Sequence, residues 1–289
     1  MNSYFLIIFA GMLLAVDFAL QKMYQRKAGM GTYAGLFFNV VLGFFSALIF
    51  LIINRFSISF SIYSFIMVFV MTVLGSIYLM IGFRVLKSGN MSFYTLFVMT
   101  GGMVVPYICG VLFLDEPLTL IRTIGIILII LSLLITNLYG RKPDKSLIML
   151  CIIVFFLNGF VSCFAKLHQV NTTYETVGTT DFVFWVGVIR VIICGLALLF
   201  VKRKNIDVEE IDVKAVLPIV FLSAVVAGIS SICQLKGAIS IPATVLYPLL
   251  TGGTIILSTI TGYIVFKEKL TVFQWISVGI CFAGTCLFL

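Results

Sequence analysis

Ten continuous apolar runs, each about as long as a bilayer is thick, constrain this chain more than any other feature. A helix rises about 1.5 Å per residue, so roughly 20 apolar residues cross the hydrocarbon core. Runs of that kind extend over Ser3–Gln21, Tyr33–Ile53, Ile62–Phe83, Ser92–Leu114, Leu118–Leu138, Leu147–Ala165, Thr180–Val201, Val213–Leu235, Ala243–Phe266 and Thr271–Leu289. They are apolar throughout rather than alternating, which excludes the strands of an outer-membrane barrel. The chain is 62% hydrophobic and 10% charged, against about half and about a quarter in soluble domains. The expected fold is therefore an all-α integral membrane protein of about ten transmembrane helices.

The remaining composition fits that class. The formal net charge is +8, but the cations stand in short clusters between runs, such as Arg141-Lys142 and Lys202-Arg203-Lys204. Clusters beside spans contact lipid head groups or set topology, so no nucleic-acid partner is implied. Seven cysteines form no CxxC pair and read as small buried hydrophobes, not as a disulfide framework or a zinc site. The N-terminus lacks a basic n-region and a small-x-small cleavage site, so the first run is expected to be a retained helix. No connection is long enough to house a soluble domain.

The chain repeats itself. Asp115-Glu116-Pro117-Leu118-Thr119 follows the fourth run and Lys267-Glu268-Lys269-Leu270-Thr271 follows the ninth. At the same offset, Gly102, Pro106 and Gly110 correspond to Thr254, Ser258 and Gly262. Each trio is spaced i, i+4, i+8, which places it on one helix face where small residues allow close helix approach in lipid. The repeat holds five spans, and an odd number inverts the second copy in the membrane. This divides the chain into repeats at 3–138 and 147–289. Inverted repeats are characteristic of secondary transporters, with the substrate site at the repeat interface near the midplane.

The doubled Glu-x-Leu-Thr, each followed by a glycine-containing apolar helix, resembles the drug/metabolite transporter superfamily, and within it the EamA-like family. Arg190, Gly237-Ala238, Tyr247-Pro248, Gly279 and Gly284 extend the likeness through the second half; Lys22, Glu116-Pro117-Leu118-Thr119 and Gly125 extend it through the first. Asn39 stands where an arginine is expected, Met99-Thr100 where a Ser-Pro or Tyr-Pro pair is usual, and Ser277 where a glycine is usual. The resemblance implies small-molecule transport in the plasma (inner) membrane, not a named cargo. It implies a central cavity lined by helices 1, 3, 4, 6, 8 and 9, and both termini in the cytoplasm. The excess of Lys and Arg on alternate connections implies the opposite orientation.

Ionisable groups inside a membrane are costly and are functional candidates by default. Asp17 interrupts the first run and is a candidate for proton coupling or for holding a cationic group; the alternative is a structural partner, such as Lys22. Arg190 interrupts the seventh run. Its planar fork suits an anionic substrate group; the alternative is a brace on backbone carbonyls or Asp181. Asn39 and Asn158 suit hydrogen bonding in a cavity or between helices. Tyr78, Tyr94, Trp185 and Tyr247 either pack or stack on substrate, and Trp185 offers a face to a cation. Glu116 and Glu268 stand at helix starts and are expected to be structural caps of the helices that follow them. Arg84 and Lys236 are expected to snorkel.

No catalytic constellation is present. One histidine, His168, excludes a histidine-based metal cluster, and no Gly-rich phosphate loop accompanies it. No cofactor is implied. The expected partners are the lipid bilayer, a small-molecule substrate and protons, with the chain acting as a monomer or homodimer. The leading expectation is a secondary transporter, not an enzyme. A channel or structural subunit is the alternative, and a membrane-embedded lipid-modifying enzyme would need clustered acid–base residues that the sequence lacks.

Overall fold

The structure, a computed structural model, describes residues 3–29, 31–87, 91–137, 145–204, 211–267 and 271–289. These residues form ten α-helices and no strand. They are α1 (Ser3–Ala28), α2 (Thr32–Ile53), α3 (Ile62–Lys87), α4 (Met91–Phe113), α5 (Leu120–Asn137), α6 (Lys145–Val170), α7 (Thr179–Arg203), α8 (Val213–Ser240), α9 (Ala243–Phe266) and α10 (Val272–Cys286). Eight are long and apolar enough to cross a membrane. Many large apolar side chains face outward, among them Phe5, Phe44, Ile66, Leu112 and Leu196. In water that surface would be prohibitive; in lipid it is the solvated face.

Several helices continue past the C-terminal ends of their apolar runs. α1 continues past Gln21 to Ala28, α6 past Ala165 to Val170, and α8 past Leu235 to Ser240. Hydropathy marks only the part of a helix that meets hydrocarbon, whereas backbone hydrogen bonding continues through the polar turns beyond it. Lys22, Lys166 and Lys236 are thus helical residues rather than connection residues. α5 and α10 are shorter than their apolar runs. At 15 residues, α10 is about 22 Å long, less than the roughly 30 Å hydrocarbon core.

Local chemistry accounts for several boundaries. Asp212 accepts a hydrogen bond from the Ala215 amide (3.2 Å) and caps α8. Thr271 and Gln274 form a reciprocal capping box at α10, which satisfies two otherwise orphaned amides. The α2 helix ends in left-handed residues Arg55 and Phe56, with φ of 53° and 62°.

The packing has a regular logic. α2 lies on α7, α4 on α9 and α5 on α10. α1 packs on α8 as α3 packs on α6, α1 on α9 as α4 on α6, and α2 on α8 as α3 on α7. Moving every helix five places along the chain returns most of the same contacts, with α6 on α8 and α5 on α9 as the exceptions. Glycines permit the closest of these approaches, as small residues do between membrane helices generally. A Cβ on Gly284 of α10 would lie 2.9 Å from the Gly125 carbonyl oxygen of α5.

Candidate functional site

Two adjoining cavities open inside the bundle, and Arg190 lines both. The larger, about 210 Å³, lies among α3, α6, α7, α8 and α9. Its walls are chiefly apolar, including Met71, Val161, Phe182, Val186 and Leu246, with Ser162, Ser231, Gln234 and Tyr247 as neutral polar groups. The smaller, about 90 Å³, lies among α2, α3, α6 and α7 and is more polar, with Asn39, Thr72, Ser76 and Tyr78 in its lining. α1 and α4 line neither cavity, contrary to the helix set expected above, and α7 lines both. The reason is that α1 and α4 spend their inward faces on helix contacts.

Asp17 shows how. It is 5% exposed, and its carboxylate accepts hydrogen bonds from the Ser223 hydroxyl of α8 and from Gln21 Nε2 at 2.8 Å. Its partners are therefore Ser223 and Gln21 rather than Lys22. Asp17 feels the charge of Arg190 without contacting it. Ser230, one face along α8, donates to the Ala10 carbonyl at 2.9 Å, so two hydroxyls of α8 hold α1.

Arg190 sits near the middle of α7. Asp181, one expected partner, instead accepts from Asn54 Nδ2 at 2.7 Å. Among the described residues Arg190 makes no hydrogen bond or ion pair. Among the described residues it is the sole charged side chain in the lining of either cavity. The bracing role weighed for it from sequence has no contact to support it.

The other candidates divide. Tyr78 lines the smaller cavity. Tyr247 lines the larger one and donates to the Ser162 carbonyl at 2.5 Å. Asn39 lines the smaller cavity and donates to the Gly35 carbonyl of its own helix at 2.9 Å. Asn158 lines neither: its Nδ2 donates to the Val98 carbonyl of α4 at 2.8 Å, which ties α6 to α4. Tyr94 packs against Gly82 of α3. Trp185 donates to the Ser59 carbonyl at 3.1 Å and packs edge-on against Phe60 and Phe65, away from both cavities.

Glu116 caps a helix, but not the one that follows it. Its carboxylate accepts from the Ala243 amide at 2.7 Å and the Thr244 amide at 2.8 Å, the first turn of α9. A carboxylate there meets both free amides and the positive helix end. Lys166, unremarked in the sequence, works from the other side of the same corner. Its Nζ donates to the carbonyls of Ala238 (2.5 Å) and Ile241 (2.7 Å) at the end of α8. Acid and base together hold the α8–α9 corner that bounds the larger cavity. The signal for Lys166 was a lone cation at the end of an apolar run, which a snorkelling role explains equally well. Glu268 lies outside the described residues, and so does the side chain of Arg84.

His168 is 1% exposed, with Ser64 Oγ at 2.8 Å and Gln169 Nε2 at 2.9 Å on its two ring nitrogens. Ser64 also accepts from the Val177 amide at 3.0 Å, so this histidine anchors the α6–α7 connection. Among the described residues no cluster of His, Cys, Asp or Glu is arranged to hold a metal ion.

Residues 145–289 match the model of the EamA-like transporter family. The chain belongs to that family. It is a multi-pass membrane transporter of small molecules. A solved crystal structure, described only as that of a protein, is similar with a TM-score of 0.72 and 12% identity, over 99% of this chain and 94% of that one. That likeness is one of fold. No curated protein matches the chain.

Proposed function

We propose that this EamA-like protein is a secondary transporter of the plasma (inner) membrane that carries a small metabolite or drug by alternating access. Two inverted five-helix repeats, 3–138 and 147–289, rock about the α2–α7 and α4–α9 contacts. The substrate occupies the paired cavities at Arg190, and protons enter the cycle through Asp17. A monomer holds the complete site.

The observation that carries this reading is that the cavities draw on both halves of the chain. Asn39, Met71 and Tyr78 come from the first half; Val161, Arg190 and Tyr247 come from the second. A motion of one half against the other changes the cavity's walls and its exposure, as alternating access needs. The matching of contacts between helices five places apart supports the same division. Asp17 suits the coupling role because it is buried, joins α1 to α8 through Ser223, and feels the cavity's cation. Protonation there alters both an interhelix hydrogen bond and the charge balance near Arg190.

The test is uptake into proteoliposomes containing the purified protein, with and without an imposed pH gradient. Saturable uptake with competition by unlabelled substrate supports the transporter. Flux that rises linearly with concentration supports a channel instead.

A further inference from the structure

We infer that Arg190 is the anchor for the carboxylate of a small monocarboxylate whose apolar body lies in the larger cavity. This rests on the transport reading above and specifies its substrate class.

Arg190 carries a charge with no bonded partner among the described residues. A cation near the centre of a spanning helix is expensive to insert. Such groups normally pair with an acid or with backbone carbonyls. Arg190 does neither among the described residues: Asp181 is taken by Asn54, and both Asp17 oxygens are taken by Ser223 and Gln21. Arg190 instead lines both cavities. The smaller cavity's other polar lining residues are neutral, among them Asn39, Ser76 and Tyr78. An unpaired guanidinium in a small polar cavity fits a ligand with acceptor oxygens. Arg presents two parallel N–H groups that match a carboxylate bidentately.

Charge sets the rest of the ligand. Among the described residues neither cavity has a second cation in its lining, so polyanions such as nucleotides would bury charge without a counterpart. Among the described residues neither has a carboxylate in its lining, so the ammonium of an amino acid would also be unpaired, and burying an unpaired charge is strongly unfavourable. A single carboxylate satisfies the site. The body is small and largely apolar, because the larger cavity is walled by Phe182, Val186, Leu235 and Leu246. At about 210 Å³ it is smaller than the roughly 300–1,000 Å³ of sites for drug-sized ligands.

The experiment is a thermal-shift titration of the full chain in detergent. The probes are isovalerate and phenylacetate, their neutral amides isovaleramide and phenylacetamide, and leucine as the zwitterion. A ligand that binds only the folded state raises the melting temperature with concentration over Kd. The expected result is a saturable shift with at least one carboxylate, and binding roughly tenfold to a hundredfold weaker for its amide, the loss expected on removing a charged hydrogen-bonded pair. Arg190→Gln is expected to lose the preference for acid over amide. Arg190→Lys keeps the charge without the fork and is expected to fall between. The wild-type acid-to-amide ratio decides the matter even if Arg190→Gln does not fold. Equal shifts for acid and amide, a larger shift with leucine, or no shift with either carboxylate overturn the inference. If saturable uptake of an uncharged solute accompanies any of those results, the transport reading stands and only the carboxylate assignment falls.

Discussion

Gly43 of α2 and Gly187 of α7 meet backbone to backbone: a Cβ built on either would lie 2.9 Å from the other's carbonyl oxygen. On Gly187 it would also come within 2.8 Å of the Ala47 amide nitrogen. Backbone cannot yield as a side-chain tip can. Gly187→Leu is expected to force the helices apart and destabilise the protein by about 1–3 kcal/mol, the usual range for overpacking. Gly195, on the same helix, has open space around it, so Gly195→Ala is expected to leave the melting temperature unchanged. Thermal melts of both variants in one detergent check the contrast.

Glu116 and Lys166 act on one corner from opposite sides. Glu116→Ala removes the acceptor for two amides of α9 and is expected to cost about 0.5–2 kcal/mol, as loss of a cap does. Lys166→Met removes two bonds to the end of α8. Because both groups hold the α8–α9 corner, and because Lys166 feels the Glu116 charge, their effects are expected to be non-additive. A double-mutant cycle measured by thermal unfolding gives the coupling; strict additivity would mean that the two contacts are independent.

Asn158 joins α6 to α4 through the Val98 carbonyl and lies outside both cavities. Asn158→Leu is expected to lower stability by roughly 0.6 kcal/mol, with 1.7 as an upper bound for such bonds between membrane helices. Substrate KM is expected to stay within about twofold, a margin under 0.5 kcal/mol. A large rise in KM with an unchanged melting temperature would move Asn158 into the substrate site.

Asp17→Asn retains the side chain's shape but cannot release a proton. Transport by this variant is expected to lose its dependence on pH, measured as initial uptake across a range of external pH at fixed internal pH. Ser223→Ala, which removes one donor to Asp17, is expected to shift the wild-type pH profile without abolishing it. Undiminished pH dependence in Asp17→Asn removes Asp17 from the coupling pathway.

Much of this architecture is legible in the sequence, for physical reasons that also define where reading stops. Ten apolar runs gave ten helices because the bilayer leaves the backbone no other way to satisfy itself. The ends slipped outward at Ala28, Val170 and Ser240, since hydropathy falls at the membrane surface while the helix continues. Asp17 and Arg190 stood out because a charge inside an apolar run is visible without coordinates. Their surroundings were not visible: Ser223 is far along the chain from Asp17, and Asn54 meets Asp181 only in three dimensions. The Glu116 cap was expected, but on α5 and not on α9, because sequence shows chain neighbours and α9 is a spatial one. Gly43 and Gly187 were two of 24 glycines, and nothing in their spacing singled them out.

The central claim is that a small monocarboxylate binds in the cavities at Arg190 and is carried across the membrane. The most direct measurement is counterflow: proteoliposomes preloaded with unlabelled isovalerate, diluted into labelled isovalerate, with wild type and Arg190→Gln compared. A transient, saturable overshoot of label in wild type and its loss in the variant is the expected result. Equal label entry in protein-free liposomes, wild type and variant, or flux that never saturates, would contradict the account.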